Sequence, residues 1–444
     1  MTDKNKNTQD KNQAERNERN DIHPFDIGMK NRVEKDDNND APQFDVIVVG
    51  GGLSGLSVAR NLNGSTIESS NGIRRKLRWK LFEANSRIGG RLQIDDSVNG
   101  RNRYIDLGAA WIWPPRQPQI MKALLNSPTL GIRTFLQPGE DYHSSKTTRI
   151  VGGAVEFVNK IYDELLTTNN KNDCHSNLAD VQTNCPITAI RRDSDRSISV
   201  ELTSEKIFRT LHVVLATPPK ILSTKVSFEP ELPPAKSTAM SSSQTWMAGV
   251  TKVALVYRGF PEFWPTLINE GERLLSAKHR RPAFQVYDGS PFLSLSSSMT
   301  DDSNKEETTG KTCVLTFFTL ASLSNHNNDD ETLARNCAEQ MCDSLSTDTI
   351  RKVPVLVKFI RSFDEFCVKR WPLEQYISDN KDPTGITPHP QPIPELAKSE
   401  WDGTLLFAGT ETYQSSPGVM EGAVGAANRV TKELAEKLSL SLVE

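Results

Sequence analysis

A glycine-rich turn that follows a buried strand restricts the fold of this 444-residue chain more than any other feature. The run from Phe44 to Val49 is apolar and β-branched, which predicts a buried parallel strand. The pattern Gly50-x-Gly52-x-x-Gly55 follows at once, and apolar residues at 56, 59 and 62 then predict a helix. A second strand, Trp79 to Glu83, ends in an acid. This order of elements predicts an α/β unit with a parallel sheet.

The glycine pattern and the acid together predict a dinucleotide site. Gly50 permits the tight turn, Gly52 lets the backbone approach a pyrophosphate, and Gly55 lets helix and strand pack closely. The helix N-terminus supplies N–H donors and positive dipole for phosphate. Glu83 is placed to accept hydrogen bonds from ribose hydroxyls, and an acid there disfavours a 2′-phosphate. The interval between glycines and acid is long because a polar insertion, Gly64 to Lys76, lies between them.

Composition excludes several other classes of function. A net charge of −3 gives no overall attraction to nucleic acid or anionic lipid. No apolar run approaches the ~20 residues of a membrane helix, and the N-terminus lacks the apolar core of a secretory signal. The six cysteines show neither Cys-x-x-Cys pairs nor zinc-like spacing. We therefore expect a cytoplasmic protein with no metal site and with neither nucleic acid nor membrane as a partner.

Polar segments interrupt the chain at several points. Residues 1–43 consist almost entirely of polar and charged side chains, which predicts a disordered tail. The same argument predicts flexible segments at Gly64 to Lys76, Asn169 to Asn177 and Met299 to Lys311.

The stretch after Glu83 carries a second glycine pair followed by an arginine, in Ala84-Asn-Ser-Arg-Ile-Gly-Gly-Arg91. It resembles the run that wraps FAD in the flavin-containing amine oxidase family, the group of monoamine oxidases, polyamine oxidases and lysine-specific histone demethylases. The resemblance continues in order from about Phe44 to Glu436, and the chain is similar to a short form of that family. Its further matches are Asp106–Trp111, Val151–Ala154, Asn184–Ile187, Val213–Pro219, Gly249–Lys252, Phe407–Thr412 and Pro417–Ala423.

The resemblance implies an α/β fold with a Rossmann-like FAD-binding domain of the GR2 type and a smaller α+β substrate domain. The FAD-binding domain would combine residues 44–130, 163–241 and 374–440. The substrate domain would combine residues 131–162 and 242–373. Monoamine oxidases carry a long helical insertion between Phe135 and Arg149 that this chain lacks, so we expect a smaller or more open pocket.

The resemblance also implies the cofactor contacts. The helix over Gly418 to Lys437 would point its N-terminus at the pyrimidine edge of the flavin. Some monoamine oxidases have a flavin-linking cysteine where this chain has Asn380, so we expect the FAD to be non-covalent. The residues matched to the cofactor site are Gly50, Gly52, Ser54, Gly55, Glu83, Ala84, Arg91, Gly108, Ala109, Ile187, Trp371, Gly409, Thr410, Glu411 and Met420.

Lys252 is the one predicted catalytic residue. In the family this lysine acts through a water on flavin N5 and assists the reaction of reduced flavin with oxygen. Judged by its position alone, Lys252 begins an apolar run and could also be a strand-end lysine whose ammonium reaches solvent.

The substrate side departs from the family pattern. Amine sites commonly place two aromatic rings beside the flavin, but the matching positions here are Val419 and a residue near Lys381. The candidates to line the substrate site are Trp111, Trp113, Tyr376 and Val419, although the aromatic residues could equally be core.

The resemblance implies an FAD-dependent oxidase of amines. Hydride would pass from the amine α-carbon to flavin N5, and oxygen would accept the electrons, giving an imine and hydrogen peroxide. One alternative is another FAD-dependent oxidoreductase, such as a desaturase, a porphyrinogen oxidase or an amino-acid oxidase. An amino-acid oxidase would need an arginine, such as Arg116 or Arg133, to bind the substrate carboxylate. The other is a non-catalytic flavin-binding protein whose Asn-rich tail recruits a partner.

Overall fold

The computed structural model describes residues 42–68, 72–95, 104–138, 147–170, 179–268, 281–292, 312–322, 329–379 and 389–442. The predicted disordered tail, residues 1–43, lies outside this part of the chain except for Pro42 and Gln43, and the predicted flexible segment Met299 to Lys311 lies outside it entirely. The predicted flexible segment Asn169 to Asn177 also lies outside it, except that Asn169 and Asn170 are the last two residues of a helix that begins at Glu156.

An eight-stranded sheet carries the glycine turn. It contains β1 (Phe44–Val49), β4 (Trp79–Phe82), β9 (Ala179–Gln182), β10 (Ile187–Arg192), β11 (Ile198–Leu202), β12 (Ile207–Leu215), β13 (Ser227–Glu229) and β18 (Leu405–Phe407). Strand β1 is parallel to β12 and to β4, and β4 is parallel to β9. Strand β12 pairs with antiparallel β11 through its first half and with parallel β18 through its second half. The buried parallel strand predicted at Phe44 to Val49 therefore lies at the centre of this sheet.

A four-stranded antiparallel sheet is formed farther along the chain. Its order is β15 (Ala283–Asp288), β16 (Thr312–Leu320), β14 (Val250–Arg258) and β17 (Glu365–Arg370). Small sheets are formed by β5 (Ile94–Asp95) with β6 (Ile105–Asp106) and by β7 (Thr134–Leu136) with β8 (Thr148–Ile150).

The helices cover the two large sheets. They are α1 (Leu53–Leu62), α2 (Pro118–Ile120), α3 (Glu156–Asn170), α4 (Pro219–Lys225), α5 (Pro234–Ser242), α6 (Asp330–Ser344), α7 (Thr347–Lys352), α8 (Leu356–Arg361), α9 (Pro394–Ala397) and α10 (Met420–Leu438). A π-helical turn, Met121–Leu125, continues α2. Short 3-10 turns span Pro114–Arg116, Trp371–Leu373, Trp401–Gly403 and Thr410–Thr412.

The three largest apolar cores of the described residues hold these layers together. One packs α1, α3 and α10 on one face of the eight-stranded sheet, and a second covers its other face with α4, α5 and α9. The third packs α6 and α8 on the four-stranded sheet. Helix α10 begins at Met420 rather than at Gly418, because Gly418 has a φ of 83° and cannot belong to a right-handed helix.

The segment Gly64 to Lys76 was predicted to be flexible, and the structure corrects this. Strands β2 (Thr66–Glu68) and β3 (Arg74–Lys76) form a small sheet with β19 (Leu440–Ser441). Arg75 donates to both carboxylate oxygens of buried Asp45 at 2.6 and 2.7 Å. This ion pair ties a polar strand to the first strand of the main sheet, which hydropathy alone does not reveal.

The predicted division into two discontinuous domains stays a prediction. Within the described residues, no helix has the length and apolar character needed to cross a membrane.

Candidate functional site

A cavity of about 460 Å³ begins at the carboxyl ends of parallel strands β1 and β4 and reaches the four-stranded sheet. Its lining includes Val49 and Gly50 after β1, Glu83 after β4 and Ala216 after β12. In α/β proteins ligands bind at this edge of the sheet, because loops diverge there and helix N-termini face the opening.

The glycine turn gives the cavity a surface of bare backbone. Gly50 adopts a φ of 104°, and within the described residues no side chain caps the N-terminus of α1. A Cβ atom on Gly52 would meet nothing nearer than the Cα of Gly90, at 3.9 Å, so the two glycine loops face each other beside open space. Uncapped N–H groups beside such a space fit a pyrophosphate.

Glu83 lies at the same edge of the sheet. Its carboxylate accepts the Gly51 N–H at 2.6 Å and the Asn85 N–H at 2.8 Å. These bonds fix the carboxylate, and each of its oxygens keeps a lone pair for a further donor such as a ribose hydroxyl.

The second glycine loop is held by arginines. Arg91 forms an ion pair with buried Glu411 at 2.8 Å, which ties this loop to the turn after β18. Arg87 donates to the Gly90 carbonyl and to Gln93 Oε1, each at 3.0 Å.

The N-terminus of α10 also meets the cavity, because Val419 and Met420 line it. Thr410 Oγ1 donates to the Val419 carbonyl at 2.6 Å and so fixes the start of the helix. Glu421 in the first turn accepts the N–H groups of Gln119 and Ile120, so its carboxylate is turned away from a ligand and towards α2.

Lys252 is fully buried and does not reach solvent. Its Nζ donates to the carbonyls of Asp106 at 2.8 Å and Gly108 at 2.7 Å. Burial is the main cause that lowers the pKa of Lys252, to about 7, while nearby Asp106 raises it and Arg149 lowers it further. A strand-end lysine with a solvated ammonium is therefore the wrong description.

A buried ion pair between Arg149 and Asp106 lies next to Lys252. Arg149 Nη2 lies 3.3 Å from Asp106 Oδ2, and both side chains are almost fully buried. Arg149 also donates to the carbonyls of Asp288, Gly289 and Ser290. The loop that carries Gly108 is thus fixed to the end of β15.

The far part of the cavity is apolar. Six side chains, which we call the apolar wall, line it and belong to one cluster around buried Tyr287: Ala110, Trp111, Met247, Val250, Phe284 and Phe318. Beside them, the Trp246 and His389 rings stack at 4.0 Å and also line the cavity. Burial lowers the pKa of His389, which favours its neutral form.

Most of the predicted site residues line this one cavity. They are Gly50, Gly52, Ser54, Glu83, Ala84, Arg91, Gly108, Ala109, Ile187, Trp371, Thr410 and Met420, with Trp111, Trp113, Tyr376 and Val419 from the substrate candidates.

Four predicted residues are not part of the lining. A Cβ on Gly55 would lie 1.9 Å from the Gly50 carbonyl oxygen, and one on Gly409 would lie 2.7 Å from the Thr217 oxygen, so both glycines serve close packing. Glu411 acts on the lining through Arg91, and Lys252 contacts the backbone of Gly108. Their roles towards a cofactor stay predictions.

Sequence reasoning missed Phe284, Phe318, Trp246 and His389. None belongs to a motif, and only the pairing of β15 with β16 brings the first two together. The positions Asn380 and Lys381, used above for the flavin link and for the second aromatic ring, lie outside the described residues.

Comparison with known proteins adds two profile matches. The profile of flavin containing amine oxidoreductases matches residues 147–435, and that of an NAD(P)-binding Rossmann-like domain matches residues 48–127. The second match confirms the predicted Rossmann-like unit.

Two curated relatives match part of the chain. A flavin-containing amine oxidase of Oncorhynchus mykiss is 25% identical over 262 residues, covering 57% of this chain and 42% of its own length. Protein anon-37Cs of Drosophila melanogaster is 29% identical over 181 residues, covering 37% and 32%. The match thus spans less than half of either relative.

Solved structures match more of the chain. Cyclohexylamine oxidase from Brevibacterium oxydans aligns with a TM-score of 0.60 at 15% identity, covering 90% of this chain and 100% of its own. Putrescine oxidase bound to putrescine aligns with a TM-score of 0.59 at 14% identity, covering 88% and 99%. At these identities the likeness concerns the fold, and it confirms the α/β class.

Proposed function

The chain belongs to the family of flavin-containing amine oxidoreductases, and we propose that it is an FAD-dependent oxidase of amines with oxygen as electron acceptor. The observation that carries the proposal is the continuous cavity, which joins the two glycine loops and Glu83 to the apolar wall. A dinucleotide with a redox-active ring at one end needs both halves of such a cavity.

FAD suits the polar half of the cavity. The uncapped N-terminus of α1 would bind the pyrophosphate, and Glu83 would accept hydrogen bonds from the ribose hydroxyls. The N-terminus of α10 would lie near the ring system, where its dipole favours negative charge. When bound, the flavin would supply the redox chemistry, taking hydride from the amine α-carbon and delivering electrons to oxygen.

We propose that the FAD is non-covalent. Among the described residues that line the cavity, Cys185 is the one cysteine. It lies at the Glu83 end, since its N–H donates to the Glu83 carbonyl at 2.8 Å, and burial raises the pKa of its thiol. A protonated thiol at the ribose end is unsuited to bonding the flavin ring.

Lys252 would act on the oxygen half of the reaction. Its Nζ is held against the carbonyl of Gly108, whose residue lines the cavity. With a pKa of about 7, Nζ can carry a proton at neutral pH. The positive charge would stabilise the anion that forms as oxygen is reduced.

Neither arginine named for the amino-acid oxidase alternative belongs to the described lining of the cavity. Arg116 and Arg133, the arginines available to bind a substrate carboxylate, are both exposed, and neither is part of the cavity lining. Arg91 lines the cavity but is already paired with Glu411. An amine without a carboxylate therefore suits the site better.

The test is to purify the protein, denature it and identify the released flavin, then to follow amine-dependent peroxide formation. We expect FAD in the soluble fraction and peroxide with at least one amine. Glu83→Ala should lose FAD, whereas Glu205→Ala, an exposed acid outside the cavity lining, should retain it. Protein that neither contains nor takes up FAD would refute the proposal.

A further inference from the structure

The apolar wall is built on the four-stranded sheet. Val250, Phe284 and Phe318 come from β14, β15 and β16, neighbouring strands of that sheet, and Met247 precedes β14. Ala110 and Trp111 come from the loop after β6. Lys252 donates to the carbonyl of Gly108 in this loop and to that of Asp106 at the end of β6. The wall therefore lies in the part of the cavity where the proposed function places the reaction.

Trp111 is the largest side chain of this wall, and its ring is fixed. Its Nε1 donates to Gln137 Oε1 at 2.9 Å, and Gln137 Nε2 donates to the Asp288 carbonyl at 3.0 Å. The ring packs edge-on against Tyr287 with centroids 4.6 Å apart and lies 5.8 Å from the Phe318 ring. An aromatic surface that is ordered in advance loses little entropy when it binds an apolar group.

The charges around the cavity do not suit a second ammonium group. Among the described lining residues Glu83 is the one carboxylate, and it already accepts two backbone N–H groups. The described cationic or basic side chains of the lining are Arg91, Lys225 and His389. Among the described lining residues, a distal ammonium on the apolar wall would find no free carboxylate as a counter-ion, and burying an unpaired charge is costly.

We propose that the substrate is a monoamine whose substituent is an aromatic or alicyclic group lying on Trp111 and the rest of the apolar wall, and that diamines and amino acids are poor substrates. This inference rests on the proposed function. The inference specifies the class of amine, and the apolar wall is the physical reason for the expected preference.

The experiment measures how fast the flavin is reduced, in the absence of oxygen, by benzylamine, cyclohexylamine, 1,4-diaminobutane and phenylalanine. For each compound, the quantity compared is the limiting rate of reduction divided by the dissociation constant. Because an unpaired buried charge costs several kcal/mol, we expect benzylamine to exceed 1,4-diaminobutane by roughly a hundredfold or more. Equal or faster reduction by the diamine or by phenylalanine would overturn the inference and leave the proposed function intact. Failure of every amine to reduce the flavin would refute both.

Two variants connect the preference to the wall. Trp111→Ala should lower the benzylamine ratio by roughly tenfold or more, the effect of losing contact with one large apolar side chain. Gln285→Glu places a carboxylate at an exposed position of the lining with nearly the same volume. It should reduce the preference for benzylamine over 1,4-diaminobutane by roughly two- to fivefold, the effect of an exposed ion pair.

The matched control is Gln43→Glu, the same change at an exposed position outside the lining, and its preference should equal that of the wild type. An unchanged preference in Gln285→Glu would contradict the assignment, and this holds even if Trp111→Ala fails to fold.

Discussion

Replacing Lys252 by methionine should separate the two half-reactions of the enzyme. Lys252 Nζ is fully buried and donates to the carbonyls of Asp106 and Gly108, so methionine keeps most of the volume and removes the charge. The assigned role predicts that FAD stays bound and that anaerobic reduction by an amine changes only modestly. Reoxidation by oxygen should slow.

The expected slowing of reoxidation follows from the position of Lys252 Nζ, which is separated from the cavity by the backbone of Gly108. A unit charge roughly 6 Å from a developing anion contributes about 3 kcal/mol at an effective dielectric constant of about 20. Loss of between half and all of that corresponds to roughly a 10- to 100-fold slower reoxidation.

The same residue predicts a pH dependence. Since burial lowers the pKa of Lys252 to about 7, its charge is present below that pH and is lost as the pH rises through it. Wild-type reoxidation should therefore slow as the pH rises through about 7, and the Lys252→Met profile should lose this step.

The stability of the fold should change with pH in the opposite direction to the rate of reoxidation. Between about 7 and the ordinary value of 10.5, an unfolded lysine still binds the proton that folded Lys252 has released. The free energy of unfolding of the wild type should thus rise with pH in this window, and this contribution should vanish in the variant.

Stopped-flow absorbance of the flavin measures both half-reactions. The matched control is Lys236→Met, because Lys236 is also fully buried and holds the backbone carbonyls of Glu395 and Lys398, yet it lies outside the lining. Its ratio of reduction to reoxidation should equal that of the wild type. Equal slowing of both half-reactions in Lys252→Met would show that Lys252 orients the substrate, and no change in either would remove it from the mechanism.

Three further substitutions test the architecture of the site. Glu83→Ala should weaken the binding of FAD by tenfold or more, because each hydrogen bond to a charged acceptor is worth ~1.5–3 kcal/mol. Equilibrium titration of the apoprotein with FAD measures the Kd, and an unchanged Kd would refute the role of Glu83. Gly55→Ala should prevent the native turn from forming, since its Cβ would lie 1.9 Å from the Gly50 oxygen; soluble protein of wild-type melting temperature would contradict this packing. Arg149→Met should lower the free energy of unfolding by about 3–5 kcal/mol, because Asp106 loses its buried partner. Urea unfolding measures this change, and a decrease below about 1 kcal/mol would show that the ion pair contributes little to stability.

The glycine-loop half of the cavity could be predicted from sequence because its signals are local. The glycine turn, the helix behind it and the acid after β4 follow from steric and dipole rules that act within a few residues. Other lining positions, for example Thr410 and Met420, could be predicted only through the family resemblance.

The apolar wall could not be predicted in this way. Phe284 and Phe318 are ordinary strand residues, and their place in the cavity depends on the pairing of β15 with β16 across a long sequence separation. The same limit applies to Lys252, whose sequence position fits both a buried and a solvated ammonium until Asp106 and Gly108 are placed beside it. The polar strands β2 and β3 were missed because Asp45, which binds Arg75, is distant in sequence.

The measurement that tests the central claim most directly is the absorbance of the protein-bound flavin during addition of benzylamine under nitrogen, followed by admission of air. An FAD-dependent amine oxidase should show complete reduction by the amine and return of the oxidised spectrum in air, with peroxide formed in proportion to the amine consumed. A bound flavin that stays oxidised with benzylamine and with every other amine would contradict it.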